Sequence, residues 1–345
     1  EHAADGDPIY TGSLFNPDFL PPDPQPEPQT IPLTSGVDIL NIHDGDVVRG
    51  GTGTLTAGDI ITGHSGEVQL EFTSGGYDGQ TITNVDLIQV GTSDAAGLGG
   101  VTVDTRRWTE IDAIALDTLR VDTALTNLQS SDTLYSIDDD VSSCGLLTTT
   151  LDFDAQAVGA GKVVKLGLKE VHGDVQLTAD VGAKIETVAL TINDTAGFTS
   201  DVNSFHSQGT TKLTIDGGVA GLDFRIKEAL DAGLTSIDAS AAKANLSLNI
   251  SDSTTDINVK LGSGNDKLYT GDTLSNGDVF DGNGGSDTLY ATFTTGATRA
   301  PTSTEIETFD LTFKANATLN FAKVDDVKTV NVNESSNRIS LINMD

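Results

Sequence analysis

The chain has little cysteine, few aromatic residues and no long apolar run. Its single cysteine, Cys144, excludes an intrachain disulfide, and we interpret this side chain as a small buried apolar residue. No apolar run approaches the roughly 20 residues of a membrane-spanning helix. Aromatic residues make up 5% of the 345 residues, which suits a thin aliphatic core repeated along an axis.

Basic residues are also scarce. There are 19 Lys and Arg against 51 Asp and Glu, and the formal charge is −32. Such a charge works against binding nucleic acid or an anionic membrane, and multivalent cations relieve its self-repulsion. Disorder is the competing interpretation of so acidic a chain, but repeated pairs of apolar residues argue against disorder after about residue 36.

Catalytic motifs are lacking as well. The sequence has no G-x-S-x-G, H-E-x-x-H or P-loop pattern, and its five histidines are scattered. Arg106, Arg107 and Trp108 form the one cluster of a kind that holds sugars, and we interpret it as structural or interfacial. We therefore predict that the protein is not an enzyme.

Residues 1–36 form the first predicted segment. Seven of the nine prolines lie between Pro17 and Pro32, which excludes a helix or a central strand and predicts an extended polyproline II arm. The arm is either a solvated spacer or a segment that docks on a neighbouring subunit through the apolar residues between Ile9 and Leu20.

The stretch from Leu261 to Ala291 carries the most specific motif. Two pieces, GSGNDKL from Gly262 and GNGGSDTL from Gly282, fit the pattern G-G-x-G-x-D-x-U-x of calcium-binding parallel β-rolls. Glycines reach turn conformations that aim carbonyl oxygens into the turn, and Asp carboxylates add the hard oxygen ligands that Ca²⁺ prefers. The predicted Ca²⁺ ligands of this stretch are Gly262, Gly264, Asn265, Asp266, Asp272, Asp278, Asp281, Asn283, Gly284 and Asp287.

The spacing of these aspartates predicts how they stack. Asp266 and Asp287 are 21 residues apart, about one coil of two strands and two turns, so we expect them on one edge, one above the other. Asp278 is then expected on the opposite edge. The alternative is that these are ordinary Gly/Asp turns between short strands.

An internal repeat predicts a second, degenerate turn module near the N-terminus. The segment TLTAGDIITG at 54–63 parallels TLSNGDVFDG at 273–282. Extending the match pairs Asp46 with Asp266, Asp59 with Asp278 and Glu67 with Asp287. The predicted Ca²⁺ ligands of this module are Asp44, Asp46, Asp59 and Glu67.

A regular apolar period predicts the fold. Residues recurring every eleven positions are Ile215, Ile226, Ile237, Leu248 and Val259, and Leu268, Val279 and Leu289 continue the series at steps of nine, eleven and ten. This is the half-coil of a two-sheeted solenoid, although residues 225–232 also fit a helical turn or two. We predict an all-β chain, a parallel β-solenoid with β-roll-like repeats and Gly/Asp calcium turns, divided into the arm, a degenerate solenoid at 37–200 and a calcium-turn solenoid at 201–345.

Taken together, LTIDGG, LDAGLTSIDAS, the stretch from Leu248 to Phe293 and IETFDLTF resemble the repeat modules of RTX-type bacterial surface proteins. The likeness is closest to calcium-dependent surface-layer proteins and large secreted adhesins. It is best over residues 180–335, recurs weakly over 37–200 and excludes the arm. The resemblance implies secretion to the cell surface, calcium-triggered folding and calcium-mediated lattice assembly. The chain departs from the family in having two good motif copies, not a long tandem array.

Three functions remain open from sequence. The first is a structural extracellular protein that self-assembles into a calcium-stabilised surface layer, fibre or matrix. It would polymerise through its chain ends and the arm, with cell-surface polysaccharide as a further candidate partner. The second is a stalk segment of a longer secreted adhesin. The third and least favoured is a polysaccharide-active β-helix.

Overall fold

A computed structural model describes residues 27–93, 99–139, 147–333 and 337–344. Most of the predicted arm and Cys144 lie outside these residues. The described residues contain strands and turns and no helix, so none of their segments is a helix long and apolar enough to cross a membrane.

The described residues form thirty-one strands in succession. The first eleven are β1 Thr30–Pro32, β2 Ile39–Ile42, β3 Val47–Gly51, β4 Ile60–Gly63, β5 Glu67–Phe72, β6 Gly75–Tyr77, β7 Thr81–Thr92, β8 Val101–Asp104, β9 Trp108–Asp117, β10 Thr123–Leu128 and β11 Leu134–Asp138. The next ten are β12 Thr148–Phe153, β13 Val164–Lys169, β14 Asp174–Ala179, β15 Thr187–Ile192, β16 Asp201–Val202, β17 Ser204–Ser207, β18 Lys212–Gly217, β19 Asp223–Ile226, β20 Ser236–Ala242 and β21 Asn245–Asn249. The last ten are β22 Asn258–Lys260, β23 Lys267–Gly271, β24 Val279–Asp281, β25 Thr288–Phe293, β26 Thr298–Arg299, β27 Thr302–Thr304, β28 Thr308–Phe313, β29 Ala317–Asn320, β30 Thr329–Asn333 and β31 Ile339–Ile342.

These strands form parallel sheets that wind into a β-solenoid of about 13 turns, as the sequence predicts. Sheet I runs along the molecule in the order β1-β3-β5-β7-β9-β11-β13-β15-β18-β20-β22-β24-β27; in addition, β4 pairs with β7, and β2 pairs with β4. Sheet II has the order β17-β14-β12-β10-β8-β6, sheet III the order β16-β19-β21-β23-β25-β28-β30, and sheet IV the order β26-β29-β31. Sheet I therefore keeps one face of the solenoid continuous while the opposite face changes from sheet II to sheet III near residue 203.

The core is a stack of aliphatic and aromatic side chains that point inward from every coil. Strands such as β15 and β25 alternate half-buried and buried residues, which is the two-residue period of a strand with one buried face. Phe293 and Phe313 stack from adjacent coils with ring centroids 4.5 Å apart and an interplanar angle of 7°. Trp108 is 3% exposed and belongs to this core.

The alternation of buried residues between two sheets is confirmed, but the period misplaces two residues. Leu213, and not Ile215, is in register with Ile237. Ile215, Ile237 and Val259 lie on sheet I and alternate with buried residues of sheet III. Val279, however, is 37% exposed, and Phe280 takes the buried position in register with Val259. The step from one coil to the next is 21 residues here, not twenty, so the prediction missed the buried face by one residue.

The start of sheet I and the conformation of residues 225–232 add two details to the sequence-based expectations. Sheet I begins at β1, within the segment assigned to the arm, and Pro32 ends that strand in register with Arg49. Proline is tolerated there because β1 lies at the edge of the sheet. The stretch that also fitted a helical turn begins in the strand β19 and continues as bends and turns.

Candidate calcium-binding turns

The turns that lead from sheet I into sheet III end in a column of carboxylates. Asp266, Asp287 and Glu307 are the last residues before β23, β25 and β28. Lys267 pairs with Thr288 and Thr288 with Thr308, so the three acidic residues lie one above another. The predicted stacking of Asp266 on Asp287 is therefore present.

Each carboxylate of the column accepts a hydrogen bond from a backbone N–H group of the preceding coil. The Leu246 N–H donates to Asp266 Oδ1 at 2.7 Å and the Asp266 N–H donates to Asp287 Oδ1 at 2.8 Å. The Asp287 N–H donates in turn to Glu307 Oε2 at 2.8 Å. Because hydrogen bonds to charged acceptors are stronger than neutral ones, the column ties four successive coils together.

The second carboxylate oxygen distinguishes Asp266 from Asp287. Asp266 Oδ2 accepts the Gly262 N–H of its own turn at 2.9 Å. Asp287 Oδ2 is buried and has no hydrogen-bond partner. A buried oxygen without a partner costs free energy, so this atom is the one place in the column where a cation has an unused ligand to gain.

Gly282 lies beside that oxygen. A Cβ at Gly282 would overlap the carbonyl oxygen of Glu305 and stand 2.6 Å from Asp287 Oδ2. The Glu305 carbonyl oxygen thus occupies the place that a side chain at residue 282 would take, with Asp287 Oδ2 beside it, and we call this pair of oxygens the cradle. A carbonyl and a carboxylate oxygen are both ligands that Ca²⁺ prefers.

Burial raises the pKa of both stacked aspartates. Burial raises the pKa of Asp266 to about 6, because its effect is larger than the lowering of the pKa by hydrogen bonds from the Leu246 and Gly262 N–H groups. Burial, together with the charges of Asp266, Glu307 and Glu305, raises the pKa of Asp287 to about 7. The ionised form of this pair is therefore costly without a nearby cation.

Asp278 lies on the opposite edge, as predicted, directly before β24 of sheet I. Its Oδ1 accepts the Ile257 N–H of the preceding coil at 3.1 Å, and its Oδ2 accepts the Ser275 N–H of its own turn at 2.7 Å. Burial raises its pKa.

The internal repeat is reproduced in the geometry. Asp59 accepts the Asp38 N–H at 2.9 Å and the Thr56 N–H at 2.7 Å, the same two bonds that Asp278 makes. Asp46 accepts the Gln29 and His43 N–H groups, both at 2.9 Å. These two bonds lower the pKa of Asp46. Both carboxylates thus already accept hydrogen bonds from two backbone N–H groups.

Glu67 does not take the position of Asp287. It is the first residue of β5, and its Oε1 accepts the Gln69 side-chain amide at 2.8 Å. Gly66 is the residue directly before that strand. The pairing at an offset of 220 residues therefore places Glu67 one position too far along.

The remaining predicted ligands are spread over several turns. Asp44 is exposed, and Asp272 follows β23 and accepts the Thr294 N–H at 3.1 Å. Asp281 accepts the Asn283 N–H at 3.0 Å and lies 3.6 Å from Lys260 Nζ. Asn265 Oδ1 accepts the Ser286 N–H at 2.9 Å. The other predicted ligands, Gly262, Gly264, Asn283 and Gly284, lie in the two turns before β23 and β25.

The motif missed Glu307 of the column and Glu305 beside it. Glu307 directly precedes β28 and belongs to IETFDLTF, and Glu305 comes two residues earlier. Adding one more coil period of about 21 residues to Asp287 would have pointed to them.

We expect the repeated aspartates to contribute equally to stability. Asp278→Ala and Asp59→Ala each remove the acceptor of two backbone N–H groups and should each lower the free energy of unfolding by about 1–3 kcal/mol. Asp44→Ala, at an exposed position, should change it by less than about 0.5 kcal/mol. Urea denaturation measures all three. A large effect at only one of the two buried aspartates would contradict the structural equivalence.

Among the described residues, no group of three or more His, Cys, Asp or Glu side chains is arranged to hold a metal ion. Comparison of the chain with protein-family models, curated proteins and solved structures finds no match.

Proposed function

We propose that the chain is a structural extracellular protein that self-assembles into a calcium-stabilised surface layer, fibre or matrix. The observation that carries the proposal is the ladder of sheet I, in which thirteen strands follow one another in hydrogen-bonded succession. Each coil contacts its neighbours through this ladder and through a shared core, so the coils form an extended scaffold whose length is set by their number.

Calcium suits this scaffold at one position better than at the others. Asp46, Asp59, Asp266 and Asp278 already accept two backbone N–H groups each. Asp287 Oδ2 and the Glu305 carbonyl oxygen form the cradle at Gly282, and these two groups are the ones that would hold the ion. The bound ion would supply positive charge to a chain of net charge −32.

The residues of the chain also position the turns at which calcium would bind. The carboxylate column positions three turns by accepting N–H groups from the preceding coil, and it thereby fixes the cradle before any ion binds. Extracellular calcium modules bind at about 10⁻⁴–10⁻³ M, so a single site adds on the order of 1 kcal/mol at millimolar calcium. Neutralisation of like charges between copies adds to this effect during assembly.

Electron microscopy and light scattering in millimolar Ca²⁺ and in EGTA test the proposal. We expect ordered fibres or sheets in calcium and dispersed protein in EGTA. Asp287→Asn should weaken the calcium response, whereas Asp44→Asn, at an exposed turn position, should leave it unchanged. Assembly that persists in EGTA would overturn the role of calcium.

A stalk segment of a longer secreted adhesin is the second candidate. The same ladder favours it, because a chain of stacked coils holds its two ends at a fixed separation. A calcium-stabilised monomer at high protein concentration would support the stalk and contradict self-assembly.

A further inference from the structure

A groove crosses the outward face of the solenoid where sheet II gives way to sheet III. It has a volume of about 390 Å³, and its walls include His172, Asp201, Arg225 and Tyr269. Ligand pockets of proteins have volumes of about 300–1,000 Å³. The groove is thus large enough to receive a small organic group.

The floor of the groove is a strand of small polar residues between two strands with large side chains. Ser247 of β21 is in register with Arg225 of β19 on one side and with Lys267 of β23 on the other. Asn249, two residues along the same strand, is in register with Tyr269. Because neighbouring strands are about 4.8 Å apart, the larger side chains flank a trough above β21.

An aromatic surface borders the trough. Tyr269 and Tyr290 stack with ring centroids 4.5 Å apart and an interplanar angle of 10°. Tyr290 comes from the following coil, so the other face of Tyr269 is turned towards β21. A flat, half-buried ring beside polar groups suits a ligand with one apolar face and hydroxyl groups around it.

The groove is less acidic than the chain as a whole, which has 19 basic and 51 acidic residues. Arg225 of β19 and Lys267 of β23 line it on either side of β21, and Lys227 directly follows β19. Arg225 Nε is 2.8 Å and Lys227 Nζ 2.9 Å from the carboxylate of Asp201. Lys267 is exposed and forms no ion pair with any residue that the structure describes.

Asp223 is the second carboxylate of the groove, and its Oδ1 accepts the Asn245 side-chain amide at 2.9 Å. Arg225 and Lys267 thus line the groove together with these two carboxylates, so their formal charges balance, and Lys267 is the cation of the groove without an ion pair among the described residues. Charge complementarity thus favours a ligand that carries an isolated negative charge. A long polyanion such as nucleic acid is disfavoured because the remainder of the surface repels it.

We propose that this groove binds a saccharide that carries a carboxylate. The sugar ring packs its C–H face on Tyr269, its hydroxyl groups meet Ser247, and its carboxylate lies between Lys267 and Arg225. The Arg225 guanidinium, already oriented by Asp201, offers further N–H donors to the ligand. This inference uses no residue of the calcium cradle and does not depend on assembly.

Isothermal titration calorimetry tests the proposal, with a galacturonic acid hexamer as the acidic probe and maltohexaose as the neutral one. We expect the full chain to bind the acidic probe at least about tenfold more tightly, a difference of about 1.4 kcal/mol. Tyr269→Ala and Lys267→Gln should each weaken binding of the acidic probe about tenfold. Lys314→Gln changes an exposed lysine outside the groove and should leave binding unchanged.

Circular dichroism in the same buffer verifies that each variant keeps its β-sheet signal. No binding of the acidic probe, or equal binding of both probes, would overturn the proposal. So would an effect of Lys314→Gln as large as that of Lys267→Gln, because binding would then follow the overall charge and not the groove.

Discussion

Gly282→Ala is expected to lower the free energy of unfolding by about 3 kcal/mol or more. The added Cβ would overlap the Glu305 carbonyl oxygen and stand 2.6 Å from Asp287 Oδ2. Backbone atoms of two adjacent coils must then move apart, and overpacking of this kind costs more than a side chain that can rotate away. Urea denaturation followed by circular dichroism measures the loss.

Gly284→Ala is the matched control two residues along the same turn. The nearest atom to its added Cβ is Ser263 Cα at 4.0 Å, so we expect a change within about 0.5 kcal/mol. The two variants should also differ in their response to calcium, since Gly282→Ala places a methyl group against the oxygens of the cradle. Equal stability of the two variants would show that residue 282 has more space than the structure gives it.

Asp287→Asn is expected to stabilise the calcium-free protein at pH 8 by about 2–4 kcal/mol and to have little effect near pH 4. The pKa of Asp287 is raised from 3.8 to about 7 in the folded chain, first by burial and then by its acidic neighbours. A group whose folded pKa is raised contributes stability that is complete below pH 3.8 and is lost as the pH rises through 7. Asparagine keeps the shape of the protonated acid and removes this loss.

Urea denaturation of both proteins in EGTA at several pH values between 4 and 8 measures this effect. The difference between the wild type and Asp287→Asn isolates this group from carboxylates such as Asp46, whose lowered pKa gives the opposite pH dependence. A difference that stays constant from pH 4 to 8 would contradict a buried carboxyl at this position. In millimolar calcium, the wild type should recover on the order of 1 kcal/mol of this loss at pH 8.

Much of the fold follows from periodicity in the sequence. The interval between Asp266 and Asp287 predicted one coil, and the register of β23 and β25 has that interval. Val279 shows the limit of this reasoning. Either residue of the pair Val279-Phe280 fits a buried apolar position. Which of the two is buried depends on the register with the neighbouring coil, and the sequence of one strand does not determine that register.

The candidate site was less predictable than the fold. The motif pointed to aspartates before strands, but whether a carboxylate is occupied depends on backbone N–H groups from other coils. Asp266 and Asp287 have similar sequence surroundings and differ in one oxygen. The groove proposed to bind a saccharide has no local signal in the sequence, since Arg225, Ser247 and Tyr269 are brought together by strand pairing alone.

The number of strands in sheet I sets the length of the sheet along the solenoid axis. Thirteen strands at a spacing of about 4.8 Å cover about 60 Å. Duplication or loss of one coil would change this length by one strand spacing. The new junction would be formed by the same two coil faces that already pack against each other between neighbouring coils. Evolution can therefore adjust the reach of such a protein by copying coils, while the cross-section of the scaffold stays the same.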